Sequence, residues 1–78
     1  MADGEARIVD ARGLLCPLPV LRARKALGEV ARGEAVEVLA TDPAASKDFN
    51  AFCAESGHVL EASGEADGVY RFRIRRKG

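Results

Sequence analysis

The residue best placed for chemistry in this chain is Cys16, in the run Leu14-Leu15-Cys16-Pro17-Leu18-Pro19. A helix beginning at Pro17 would put Cys16 at its N-cap. There, unpaired backbone N–H groups and the positive end of the helix dipole favour a thiolate. The thiol pKa is then expected below that of a free cysteine. Arg22, Arg24 and Lys25, further along the same helix, add positive potential if their side chains reach back. Pro17 and Pro19 lack backbone donors and stiffen the turn, which would hold the thiol outward, in a pose suited to exchange with a sulfur on another protein. Residue types alone leave a second reading open: a small buried residue that opens a helix.

The remaining reactive side chains are sparse. Cys53 lies beside Phe49 and Phe52 at helical spacing, which reads as packing; the functional alternative is a thiol that resolves Cys16 as a disulfide. With 36 residues between the cysteines and a single histidine, His58, no metal-ligand spacing is present, and neither a metal nor a cofactor is expected. His58, after Gly57 at a helix-to-strand junction, reads as a hydrogen-bonding residue rather than a base. Asp10 closes the first strand and is placed to orient the loop that follows. Asp42, before Pro43, reads as a helix N-cap. Arg71, Arg73 and Arg75, followed by Arg76 and Lys77, form a basic stripe at strand period. It reads as a solvated sheet face, or as a docking surface for an acidic protein or RNA.

The elements that must carry these residues can be read in order. Residues 7–11 form a short strand ending at the Arg12-Gly13 turn. Val20, Ala23, Leu27, Val30 and Ala31 share one face at a 3.6-residue period, predicting a helix from Pro17 that ends at Gly33. Residues 34–41 alternate as an interior strand. Asp42-Pro43 opens a second helix that runs to Ser56, with Ala45, Phe49 and Phe52 on its apolar face and Cys53 on the flank. Residues 59–63 form a third strand, residues 64–68 a turn, and residues 69–75 a fourth strand with Tyr70, Phe72 and Ile74 on one side. The order β-α-β-α-β-β fits a two-layer α/β (α+β) sandwich, with two helices on one face of a four-stranded mixed sheet. The arginine stripe would lie on the open face.

Size and composition bound the possibilities. The chain has 78 residues, which fits one domain spanning 1–78, with residues 1–5 expected to be disordered. So small a chain has little room for an enclosed pocket, which favours a site on the surface. Twelve basic and twelve acidic residues cancel, which argues against a nucleic-acid binder; no direct nucleic-acid contact is expected. No apolar run reaches the length of a signal or membrane segment, so a cytoplasmic, reducing location is expected, with no membrane association and no structural disulfide. A monomer forming transient complexes is expected.

The segment from Asp10 to Val20 (DARGLLCPLPV), followed by Arg24-Lys25, resembles the Cys-Pro-x-Pro signature of the TusA/SirA sulfur-carrier family. The likeness continues through Gly33-Glu34, Thr41-Asp42-Pro43-Ala44, Lys47-Asp48, Phe52-Cys53, His58 and the closing strand, and so covers almost the whole chain. It implies the same sandwich fold. It also implies that Cys16 takes sulfane sulfur from a cysteine desulfurase or a rhodanese-like donor and relays it as a persulfide to an acceptor protein. Asp10, Gly13, Pro17, Pro19, Arg24 and Lys25 are then the supporting motif residues. Relatives feed 2-thiouridine synthesis in tRNA, molybdenum-cofactor assembly or sulfur oxidation. Relatives in tRNA thiolation can carry an acidic residue between the prolines. Leu18 stands there in this chain, giving an apolar rim and leaving the partner open. The role implied is that of a carrier rather than a stand-alone multiple-turnover enzyme.

Overall fold

A computed structural model describes residues 6–78; the expectation of disorder for residues 1–5 lies outside the described residues. Six elements follow in order: β1 (Arg7–Ala11), α1 (Leu18–Leu27), β2 (Ala35–Ala40), α2 (Ala45–Ser56), β3 (Val59–Ala66) and β4 (Val69–Arg75). The sheet order is β1-β2-β4-β3. β1 pairs with β2 in parallel, and β4 pairs antiparallel with both β2 and β3. This is the mixed four-stranded sheet and two-helix arrangement read from the sequence.

Alternation along the two central strands builds the core. Val36, Val38 and Ala40 of β2 lie opposite Ile74, Phe72 and Tyr70 of β4, and together they form one apolar sheet face. Ala23, Ala26 and Leu27 of α1 and Ala45, Phe49 and Cys53 of α2 cover it. Phe49 and Phe72 stack with ring centroids 4.6 Å apart, joining α2 to the sheet. Burying a ring of this size contributes about 1.5–3 kcal/mol, so the pair is a principal anchor of α2. Phe52, placed by the sequence on the apolar face of α2, is only half-buried, while Cys53, placed on the flank, takes the inner position.

Three boundaries differ from the sequence reading by more than one residue. α1 ends at Leu27 rather than at Gly33, because Gly28 is a poor helix residue and a stronger attachment lies beyond it. In the loop that follows, Gly33 (φ 84°) donates to the Arg76 carbonyl (3.1 Å), and the Arg76 N–H donates to the Glu34 carbonyl (2.8 Å). This anchoring to the end of β4 replaces another helical turn, and Val30 packs against the core from the loop. α2 starts at Ala45, since Pro43 and Ala44 form a turn held by the Asp42 carboxylate. β3 runs on to Ala66, because Asp67-Gly68, with φ of 54° and 80°, closes a two-residue hairpin. Two successive positive φ values match the right-handed strand twist, so no longer turn is required.

The open face of the sheet carries Arg71, Arg73 and Arg75, as expected, but each of them has a glutamate partner. Arg71 pairs with Glu37 at 2.5 Å, Arg73 with Glu61 at 3.3 Å, and Arg75 with Glu61. The Arg75 and Arg73 guanidinium groups hold the Glu61 carboxyl below the usual carboxylate range. Among the described residues, no helix is long and apolar enough to cross a membrane.

Candidate functional site

The loop between β1 and α1 is held at successive backbone positions. Asp10 accepts from the Arg12 N–H (3.1 Å) and from the Arg12 guanidinium at two atoms (2.9 Å each). This paired guanidinium holds the Asp10 carboxyl down at about 2. Gly13 turns the chain at φ 80° and donates its N–H to Thr41 Oγ1 at 2.9 Å. The Cys16 N–H donates to Asp42 Oδ2 at 2.7 Å, while Asp42 Oδ1 accepts from the Ala44 N–H at 3.0 Å. One carboxylate therefore ties the Cys16 loop to the turn that opens α2, and both bonds draw the Asp42 pKa down. Asp42 is thus not the helix N-cap read from the sequence: Ala44 holds that position, and the Asp42 carboxylate instead braces the turn ahead of α2 and the Cys16 loop.

Cys16 sits one residue outside the predicted position, since Pro17 is the N-cap of α1. The Leu18 N–H donates to the Leu15 carbonyl at 2.8 Å, so a tight turn carries Cys16 at its crest. The Cys16–Pro17 peptide is cis. Pro17 is exposed, whereas Pro19 points inward and is fully buried. Cys16 is exposed and its thiol is free. Leu15, Leu18 and Leu21, at 71%, 46% and 48% exposure, surround this stretch and provide the apolar rim that Leu18 suggested.

The thiol borders a shallow groove between α1 and α2 whose lining includes Leu21, Arg24, Asp48, Phe52 and Glu55. Of the three cations expected to reach back, only Arg24 enters this groove. Arg22 and Lys25 line a different cavity, beside β1 and Glu29. The helical rotation of about 100° per residue turns them to another side of α1. Lys25 therefore lies apart from the site, while Asp10 and Gly13 shape the loop without lining the groove.

The expected lowering of the Cys16 pKa is also corrected. The thiol is pushed above the ordinary cysteine value, chiefly by hydrogen bonding with the Asp48 carboxylate, then by partial desolvation and the charges of Asp48 and Asp42. A carboxylate that accepts the thiol proton stabilises the neutral form, and its negative charge opposes a thiolate. The helix-dipole expectation considered α1 alone; α2 brings the opposing carboxylate. Thr41, Asp42 and Asp48 are thus working neighbours of Cys16 that the residue-level reading did not assign. Asp42-Pro43 pointed to the start of a helix, not to the loop it would meet.

The other reactive residues lie elsewhere. Cys53 is 8% exposed in the core, and burial raises its thiol pKa. His58 Nδ1 accepts from the Lys77 N–H at 3.1 Å, and its ring lies 5.8 Å from that of Phe52. Among the described residues, no three His, Cys, Asp or Glu side chains gather as a metal site.

The described residues form a two-layer sandwich with an exposed, anchored cysteine on the β1–α1 loop, beside a shallow groove between the two helices. The profile of the family described as Sulfurtransferase TusA matches residues 7–76, and the chain belongs to that family. It is 45% identical over 76 residues to the sulfur carrier protein TusA of Allochromatium vinosum, spanning 97% of this chain and 99% of that one. A Neisseria meningitidis protein is 49% identical over 69 residues, covering 88% of this chain and 93% of the relative. The crystal structure of a SirA-like protein from Desulfitobacterium hafniense superposes with a TM-score of 0.79 at 33% identity, over 91% of this chain and 97% of the other.

Proposed function

We propose that the protein carries sulfane sulfur on Cys16 between a donor protein and an acceptor protein. The observation that carries this reading is an exposed thiol at the crest of a loop fixed by Thr41 and Asp42, with Cys53 buried away from it. Membership in a sulfur-carrier family supports it.

The transfer follows from ordinary thiol chemistry. Cys16, deprotonated, attacks the outer sulfur of a persulfide held on a donor cysteine. A new S–S bond forms at Cys16 Sγ, the donor S–S bond breaks, and the donor cysteine leaves as a thiolate. The Cys16 proton passes to solvent or to the neighbouring Asp48 carboxylate. No external oxidant is consumed, because the sulfane sulfur arrives already oxidised. Handing it to an acceptor thiol repeats the exchange in the opposite sense. The raised pKa leaves the resting carrier largely protonated, so a donor that neutralises Asp48 on docking would generate the thiolate where it is needed. A cysteine desulfurase or a rhodanese-like protein supplies the required persulfide chemistry, in the cytoplasm. The leucine rim provides an apolar contact for such a partner.

Incubation with a cysteine desulfurase, cysteine and pyridoxal phosphate should add the mass of one sulfur atom. That gain should vanish in Cys16→Ala and persist in Cys53→Ser. A mass gain that survives in Cys16→Ala would refute the assignment, as would its absence with both desulfurase and rhodanese donors. The alternative of an RNA-binding module on the sheet face is disfavoured, because Arg71, Arg73 and Arg75 each pair with Glu37 or Glu61, which leaves only one net positive charge among the five groups.

A further inference from the structure

A second cationic region lies at the opposite end of α1 from Cys16, and among the described residues its Arg24, Arg32, Arg76 and Lys77 form no salt bridge. Arg24 and Leu27 of α1, Arg32 of the loop after it, His58 at the start of β3, and Arg76 and Lys77 beyond β4 border an open pocket of about 430 Å³. Among the described residues no carboxylate side chain lines it; the carboxyl group of Gly78 is at its rim, and Glu55 lies beside Arg24 in the adjoining groove.

Two of the basic side chains here are positioned by neutral acceptors. The Arg76 guanidinium donates to the Val30 carbonyl, and Lys77 Nζ donates to the Ser56 carbonyl at 2.6 Å. Carbonyl oxygens fix the geometry of these groups while leaving their formal charge uncompensated. The backbone beneath is tied as well, through Gly33 to Arg76, Arg76 to Glu34 and Lys77 to His58. The sheet stripe shows the contrary case, with each arginine facing a glutamate. A cavity bordered by four basic side chains, two of them held by carbonyl oxygens, against the one carboxyl group of Gly78 keeps an excess of positive charge suited to an anionic ligand.

We propose that this pocket binds a tetrahedral oxyanion of the sulfate and phosphate class, with Arg24, Arg32, Arg76 and Lys77 as its cationic contacts. Guanidinium groups offer forked N–H donors to such oxygens, and an ammonium adds a compact charge. His58 lies at the edge as a built-in reporter. Its pKa is held below the ordinary histidine value by burial first, then by the charges of Lys77 and Arg76. An anion bound among those charges relieves the repulsion and raises the His58 pKa. By linkage, the same anion binds more tightly as pH falls through the histidine range. The pocket is distinct from the Cys16 groove, although Arg24 borders both.

The test uses the intact chain and sodium sulfate, whose charge is constant over the histidine range, against sodium chloride at equal ionic strength. Proton NMR follows the single histidine. Sulfate should raise the His58 titration midpoint saturably, and chloride should not. The rise should be lost in the double variant Arg32→Gln/Lys77→Gln and retained in Arg71→Gln on the sheet face. Should the double variant fail to fold, Arg32→Gln alone, at an exposed loop position, should weaken sulfate binding several-fold. Adenosine monophosphate as a parallel probe separates the sources: tighter binding than sulfate assigns the site to a nucleotide phosphate, and equal binding to an inorganic ion. The proposal is overturned if sulfate leaves the midpoint unmoved, if chloride reproduces the shift, or if the shift survives in the folded double variant.

Discussion

The two cysteines show how one side chain acquires opposite fates within a single small fold. Cys16 lies at the crest of a loop, exposed, with its backbone N–H held by Asp42 at 2.7 Å. Cys53 lies on the inner face of α2, packed into the core cluster that Phe49 and Phe72 anchor. Both thiols have raised pKa values, for different reasons. At Cys16 the leading cause is the Asp48 carboxylate; at Cys53 it is burial. A docking partner can remove the first by supplying a cation. The second persists for as long as the protein remains folded. Reactivity that can be switched on therefore belongs to the thiol restrained by a charge, not to the one restrained by packing.

The largest effect expected is at Cys16 itself. Cys16→Ser should abolish sulfur loading by intact mass, while Cys53→Ser should load as the parent protein does. Equal loss in both variants would erase the distinction.

Breaking the core should make the cysteines alike. Phe49→Ala removes a fully buried ring that stacks on Phe72. It should cost about 3–5 kcal/mol in urea unfolding. In the parent, iodoacetamide should modify Cys16 on the order of 100-fold faster than Cys53, since Cys53 requires local opening. That ratio should fall sharply in Phe49→Ala, as read by peptide mass mapping.

A smaller change sharpens the contrast from the other side. Asp48→Asn removes the carboxylate charge facing Cys16 and should move the midpoint of its pH–alkylation profile to lower pH. Thiol reactivity near neutral pH should rise several-fold, while Cys53 should be unaffected. An unchanged Cys16 profile would show that Asp48 does not control it.

The smallest effect is on stability. Folding raises the Cys53 pKa above its ordinary value of 9.0, so the unfolded chain gives up that proton first as pH rises. The stabilisation associated with the protonated thiol is complete below that value and declines as pH climbs through it. Urea midpoints should therefore fall between about pH 8 and about pH 10 more steeply in the parent than in Cys53→Ala.

Much of this contrast was legible from residue order. The alternation of Val36 and Val38 and of Phe72 and Ile74 marked the two central strands. Gly57 marked the end of α2, and the prolines around Cys16 marked a constrained loop ahead of a helix. The end of α1 was not legible, because Val30 and Ala31 continue a helical period that Gly28 and the link from Gly33 to Arg76 interrupt. Nor was the hairpin of β3 and β4, where Gly64 suggested a turn that pairing with Arg71 overrides.

For Cys16, the sequence alone determined the type of reactive atom, its rigid flanks and its place before a helix, since these depend on neighbours along the chain. Tertiary structure decided its protonation. Asp42 and Asp48 reach the loop only because the fold packs the start of α2 against it, and the field at a thiol depends on distance through space. The same holds for the paired and unpaired arginines: strand period placed Arg71, Arg73 and Arg75 on one face, but only the sheet, with β2 beside β4 and the irregularity at Glu61 in β3, brought Glu37 and Glu61 within reach of them.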